Sequence, residues 1–428
     1  MRVSELLRKV LVQNILALYG VQAVGYLLPL LIIPFLTRML GTEGWGVYAF
    51  FQSFALYSSS FIDYSFSLWG TREVARVRDD PRARGAVLRS VIGAKLLMVI
   101  VVGVVTTVLF FAVPKFYNQP TVVWSSFAWG ATLGLSALWY YQGLERMKLV
   151  AGLEILSRAL ATIAIFWIVR TPEQVWLVFA LYAGSNLVSL AVALGLARAD
   201  LAMSSWSIAE SKEALRRGFP LFQTRIASNL YTTGGVFILG LLTTPSVIGI
   251  YAGAEKIVKA ATVVLLEPLN RAIFPRQSYL LANDPVKAVQ LLRIGFVVAF
   301  GGGMLLMGVL WIGAPLLVRY ILGDGFSTAI PVLRILSLFA PIVAVSSVLG
   351  QQWLLPQGGD RPYSLTIWGA AVLNICLIIL LVPRLEQAGM AWAVVSTELF
   401  VSVCFTLILL KKGSLCLLWK NKYSGKNQ

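Results

Sequence analysis

Long apolar runs bounded by charge, glycine or proline recur along the whole 428-residue chain. They fall near 12–37, 44–70, 88–113, 121–142, 150–169, 174–197, 217–242, 246–268, 291–318, 329–354, 363–382 and 387–410. Each reaches the length of about 20 residues that a helix needs to cross hydrocarbon. The pattern predicts an all-α polytopic membrane protein with about 12 transmembrane helices. The segments between the runs are too short to hold a sizeable extramembrane domain. Composition agrees: 58% of residues are apolar and 13% charged, where a soluble domain carries about a quarter charged. The first run is too long for a signal-peptide core and carries Pro29 and Pro34 in place of a small-residue cleavage pattern, so it is expected to stay in the mature protein.

The 36 Lys and Arg residues are distributed unevenly over this map. With the N-terminus inside, 25 of them fall in inner segments, including the basic loop Arg72 to Arg89, and 5 fall in outer ones: Arg38, Lys115, Arg170, Arg319 and Arg384. Both termini are therefore expected in the cytoplasm. The net charge of +17 is then mostly a topology signal, which makes nucleic-acid binding an unneeded hypothesis and leaves only generic attraction to anionic membrane lipids. The chain has no histidine, which removes the usual imidazole base and most zinc sites. Neither catalytic residues nor a metal site are expected, and the protein reads as a non-enzyme. Cys376, Cys404 and Cys416 are scattered and form no CxxC pair, so they read as packing residues.

A shift of about 203 positions lays Gly46-Val-Tyr-Ala49 on Gly249-Ile-Tyr-Ala252. One further residue matches Asp63 to Glu267, Arg72 to Arg276, Asp80-Pro81 to Asp284-Pro285 and Leu88-Arg89 to Leu292-Arg293. The matches keep one order, so the chain reads as two six-helix bundles: residues 1–200, a cytoplasmic linker 201–217, a second bundle 218–412 and a basic cytoplasmic tail 413–428. Six is even, so the halves are parallel repeats, an arrangement of alternating-access transporters with a substrate site between halves.

Six basic residues lie inside spans: Lys95, Arg158, Arg225, Lys256, Lys259 and Arg334. Charge at the bilayer centre costs about 2.5–3.5 kcal/mol on insertion scales, so it faces a cavity or a partner. Lys95, Arg158 and Arg334 lie close enough to span ends to snorkel. Lys256 and Lys259 sit near the middle of the eighth span, with Glu255 four residues before Lys259. Arg225 has Asn229 one turn above it. Two readings stand side by side. Glu255 and Lys259 form an ion pair that only fixes packing, or Arg225, Lys256 and Lys259, with Asn229, Arg72 and Arg276, receive an anionic head group. Asp63, Glu255, Glu267 and Glu398 are candidates for Na⁺ or H⁺ coupling, although Asp63 and Glu267 are also placed to pair with Arg72 and Arg271. No nucleotide-binding motif occurs, and no cofactor is expected.

The stretch Pro29-Leu-Leu-Ile-Ile-Pro34-Phe-Leu-Thr-Arg38-Met-Leu-Gly41-Thr-Glu-Gly-Trp-Gly46-Val-Tyr48 resembles the opening signature of the Wzx-type lipid-linked oligosaccharide flippases. These belong to the superfamily that also holds multidrug and toxin extruders. The resemblance implies a multi-pass protein of the bacterial inner membrane that moves undecaprenyl-pyrophosphate-linked repeat units outward for O-antigen or other surface polysaccharide. It also implies a cationic central cavity, matched here by Arg225, Lys256 and Lys259, and partners among polysaccharide polymerases and glycosyltransferases. Trp69, Trp139, Tyr140, Tyr141, Tyr19 and Tyr26 stand as sugar-stacking or interfacial aromatics. The alternatives are an ion-coupled multidrug extruder of the same fold and a non-transporting scaffold of polysaccharide assembly.

Overall fold

The structure is a computed structural model that describes the backbone of residues 2–202, 206–232 and 234–411, and the side chains of 31–202, 206–223, 225, 226, 229 and 234–411. The tail 413–428, Cys416, the Tyr19 and Tyr26 side chains and positions 203–205 of the linker lie outside the described residues. Among the described residues every regular element is helical.

The chain divides into two compact units, Met1–Asn229 and Leu230–Gln428. In the first, α1 (Arg2–Asp63) is broken at Gly41, whose φ of 66° is a conformation that glycine adopts without a Cβ penalty. After it come α2 (Phe66–Arg76), α3 (Pro81–Ala112), α4 (Pro120–Gly134), α5 (Leu138–Gly143), α6 (Lys148–Ile168), α7 (Val175–Leu196), α8 (Arg198–Ala202) and α9 (Ile208–Thr232). In the second are α10 (Gly234–Leu242), α11 (Pro245–Asn283), α12 (Pro285–Leu317), α13 (Ala329–Ser337), α14 (Phe339–Ser346), a π-helical continuation Ser347–Leu354, and α15 (Asp360–Lys411), which is broken at Glu386.

The helix starts are encoded locally. Asp80 accepts hydrogen bonds from the backbone N–H of Arg82 at 2.8 Å and of Ala83 at 3.2 Å, with Pro81 in the first helical position. Asp284 caps α12 in the same way, accepting from Lys287 N at 3.1 Å ahead of Pro285.

Among the described residues seven helical segments are long and apolar enough to cross a membrane, including Pro81–Ala112, Lys148–Ile168 and Asp360–Lys411. On α3 the residues Ile100, Val104, Val108 and Phe111 form an exposed apolar stripe at helical spacing, which in water would be costly and against acyl chains is not. Close helix approach replaces hydrophobic drive on the inner side. A Cβ on Gly130 of α4 would lie 2.5 Å from the carbonyl oxygen of Ala55 on α1, so the two backbones touch there.

The aromatic residues named from sequence are placed differently from expectation. Trp69, Trp139, Tyr140 and Tyr141 are all buried in the core of the first unit, with Val74, Leu88 and Val150. Tyr140 donates to a carboxylate oxygen of Asp200, and Tyr141 to the Ala193 carbonyl. They therefore pack the bundle and present neither a sugar platform nor an interfacial belt. The two tyrosine hydroxyls are satisfied inside, as buried tyrosines require.

Candidate functional site

A largely buried charged cluster of the first unit is built on α1, α2, α3 and α9. Asp63 ends α1, where Tyr64 and Ser65 turn the chain through positive φ into α2. Its Oδ1 lies 3.1 Å from Lys95 Nζ on α3. The same ammonium donates to the carbonyl oxygens of Gly134 at 2.9 Å and Ser136 at 3.2 Å. All three ammonium hydrogens thus have acceptors, and the Lys95 side chain is 1% exposed. The other carboxylate oxygen accepts from Ser67 Oγ at 2.9 Å and lies 3.5 Å from Arg225 Nη1 on α9. That guanidinium also donates to Ser67 Oγ at 3.0 Å.

This geometry corrects two expectations. Lys95 does not snorkel to a head group, because its ammonium finds Asp63 and two carbonyls at its own depth. Asp63 pairs with Lys95 and Arg225, whereas Arg72 lies 3.5 Å from its chain neighbour Glu73. A cavity of about 50 Å³ adjoins the cluster at Ser136, lined by Glu154, Arg158 and Asn186 together with apolar residues such as Leu133 and Val150. Glu154 accepts from Ser136 Oγ at 2.9 Å there.

On α11 the Glu255–Lys259 pair expected from sequence is present at 2.9 Å, and Tyr251 donates to the same Glu255 oxygen at 3.2 Å. Lys256 is half-buried beside them. Thr262, three residues after Lys259, donates to the Val258 carbonyl of its own helix at 2.8 Å. Farther along, Glu267 pairs with Arg271 at 2.7 Å, and Arg276 lies 5.8 Å over the Tyr279 ring. Asn229 accepts a hydrogen bond from Tyr57 through its carbonyl at 3.4 Å. Arg334 is half-buried and rests over Trp311, 4.9 Å from the ring centroid.

Glu398 on α15 differs from the other candidate carboxylates. It is 3% exposed, accepts from Ser346, and forms no ion pair among the described residues. Thr397 beside it accepts from Asn374 at 3.1 Å.

The residue that sequence reasoning missed is Asp200. It lies 2.7 Å from Arg84 Nη2 and also accepts from Tyr140, while Arg89 donates to the neighbouring Leu201 carbonyl. Part of the basic loop thus clamps α8 onto α3. Only the place of Asp200 two residues after Arg198, at the start of the segment that runs to Arg217, hinted at this.

Comparison with known proteins gives the family. The family described as polysaccharide biosynthesis protein matches residues 11–281. A candidate O-antigen transporter of Escherichia coli (strain K12) is 30% identical over 396 residues, covering 91% of this chain and 94% of its own length. One of Shigella dysenteriae, given the same name, is 26% identical and covers 93% of this chain and 99% of its own. An inward-facing multidrug resistance MATE family transporter of the MOP superfamily superposes with a TM-score of 0.68 at 13% identity, covering 96% of this chain and 100% of the other. Lipid II flippase MurJ, in an inward closed conformation, gives 0.59 at 13% identity, with 91% and 90% covered. These two likenesses speak for fold alone. By sequence, this chain belongs to the polysaccharide biosynthesis protein family, and it does so on the helical architecture of the MOP-superfamily transporters.

Proposed function

We propose that this chain is a flippase that carries an undecaprenyl-pyrophosphate-linked oligosaccharide repeat unit across the bacterial inner membrane by alternating access. The carrying observation is the near full-length match to relatives named for O-antigen transport, 91% of this chain against 94% of the E. coli protein. The chemistry fits. A sugar-diphosphate head is large, polar and anionic, while its polyprenyl tail is at home in lipid, so transfer needs a wet cationic route and no covalent step. In the first unit Lys95 and Arg225 share the single carboxylate of Asp63. In the second, Lys256 and Lys259 lie within one turn of α11 together with the carboxylate of Glu255. A cationic drug as cargo would favour the opposite excess. The MATE fold likeness at 13% identity does not favour an extruder, since MurJ shares that fold at the same identity.

Twelve crossings belong to this reading. The breaks at Gly41 and Glu386 divide α1 and α15 into two arms each, and the Asp-Pro starts of α3 and α12 sit at matching places in the proposed repeat. Cytoplasmic termini follow from the basic loops. Arg225, Lys256 and Lys259 are the proposed head-group contacts, and coupling to Na⁺ or H⁺ is proposed for the buried carboxylates.

The test is reconstitution in vesicles with a fluorescent undecaprenyl-pyrophosphate-linked oligosaccharide, scored by its accessibility to an external glycosidase. Protein-dependent equilibration is expected. Equilibration no faster than in empty vesicles, with a cationic dye transported instead, would replace the flippase with the extruder.

A further inference from the structure

Exposure falls steeply across the Asp63 cluster. Arg225 is 39% exposed, Asp63 14% and Lys95 1%. The two cations are also held differently. Lys95 bonds Asp63 directly and is locked by two backbone carbonyls. Arg225 stands 3.5 Å from the carboxylate, beyond the 2.7–2.9 Å of a charge-assisted hydrogen bond, and its recorded hydrogen bond is to Ser67 Oγ at 3.0 Å. Ser67 bridges the two, donating to Asp63 Oδ2 and accepting from Arg225. One carboxylate therefore has a permanent cation on its buried side and a loosely held one on its open side.

We infer that Asp63 is a resident counter-ion for Arg225, which a diphosphate displaces when it docks on the guanidinium, and that Lys95 is a positioning residue that sets how strongly Asp63 competes. This rests on the reading of the cargo as a diphosphate-linked lipid. A free, desolvated guanidinium would bind such an anion tightly and release it slowly. A carboxylate waiting at 3.5 Å lowers the affinity and takes the guanidinium back on the far side of the membrane, which favours turnover over tight binding. Lys95 divides the charge of Asp63 between two cations. Without it, the whole carboxylate would compete for Arg225. The fork of Arg suits a phosphate group, whereas the ammonium of Lys95 is enclosed and takes no part in the exchange.

The experiment measures binding of inorganic pyrophosphate to the purified full chain in nanodiscs of zwitterionic phosphatidylcholine, per folded molecule, beside flipping rates in vesicles. Relative to wild type, Asp63→Asn with Lys95→Met is expected to bind about tenfold more tightly and to flip more slowly at saturating cargo. Lys95→Met alone is expected to bind several-fold more weakly, and Arg225→Gln about tenfold more weakly. The double variant covers the case in which Asp63→Asn alone misfolds by stranding Lys95. Equal affinities in the double variant, Lys95→Met and wild type would reduce the cluster to helix packing and overturn the inference. So would Arg225-dependent competition by phosphatidylglycerol nanodiscs with no effect of pyrophosphate, which would assign the guanidinium to a lipid head group. Wild-type protein that binds pyrophosphate in this order but flips no lipid-linked oligosaccharide would overturn the proposed function and leave the counter-ion exchange standing.

Discussion

Lys95 Nζ on α3 sits 3.1 Å from Asp63 Oδ1 at the end of α1, across 32 positions of sequence and with only 1% of the lysine side chain exposed. Breaking a buried pair from one side costs about 3–5 kcal/mol where nothing else compensates the remaining charge, and here Arg225, 3.5 Å from Asp63, offsets part of that cost. Lys95→Met is therefore expected to lower the midpoint of thermal unfolding in detergent and the amount of protein in the membrane. Adding Asp63→Asn to it is expected to restore most of both. Additive losses in the double variant would mean that the two side chains do not interact.

Arg84 and Asp200 make a pH-dependent clamp outside the spans. Burial pushes the Asp200 carboxyl up, but the hydrogen bonds from Arg84 and Tyr140 and the nearby positive charge pull it further down, to a net value below its ordinary one. A carboxyl lowered by folding contributes stability that is complete above its unfolded value of about 3.9 and is lost as pH falls through the lower folded value. Thermal unfolding of wild type against Asp200→Asn, between pH 7 and pH 3, should show a gap that closes on acidification. A gap that stays constant over that range would show that the carboxylate charge is not what holds α8.

Depth within the membrane was legible in the sequence, and direction around the helix was not. Asp63 lies seven residues from the nearer end of its apolar run, Lys95 seven and Arg225 eight, so all three share a level about 10–12 Å from a run end at helical rise. That equality was a usable signal of a common cluster. The azimuth was hidden because these spans are apolar nearly all round, and a helix without a polar face does not announce which side it buries. The Glu255–Lys259 pair was readable for the opposite reason: it lies within one helix, where i, i+4 spacing fixes the contact. Tyr140 and Tyr141 misled because membrane aromatics are expected at interfaces, while here their hydroxyls find Asp200 and Ala193 inside the bundle.

The bias of basic residues, 25 on one side against 5 on the other, gives a direct expectation for topology. Tags placed at residues 80 and 205 and at the C-terminus should be shielded from external reagents in intact cells, and one at residue 171 should be reached. External labelling at residue 80 would invert or break the two-bundle arrangement.

If transport is driven by an ion, Glu398 is the carboxylate best isolated for the task, being buried with a serine hydroxyl and no ion pair among the described residues. Glu398→Gln should then slow flipping in vesicles and remove its response to imposed pH or Na⁺ gradients. A variant as fast as wild type, with wild type itself indifferent to both gradients, would leave passive facilitated exchange as the mechanism.

The sharpest separation of cargo binding from packing lies on α11, where Lys256 and the Glu255–Lys259 pair occupy one turn. Lys259→Gln removes the direct ion pair of Glu255, which keeps the Tyr251 hydroxyl at 3.2 Å, so protein abundance should fall. Glu255→Gln combined with Lys259→Gln removes both charges and should restore abundance. Lys256, half-buried in the same turn, is the proposed head-group contact. On that role Lys256→Gln is expected to abolish surface polysaccharide while the protein still inserts, because attraction for an anion is lost, and Lys256→Arg keeps the charge and should retain more export than Lys256→Gln. Immunoblots of membrane fractions read the first quantity and surface-polysaccharide staining the second. If the Glu255→Gln, Lys259→Gln protein and Lys256→Gln both export at wild-type levels, α11 takes no part in recognising the head group.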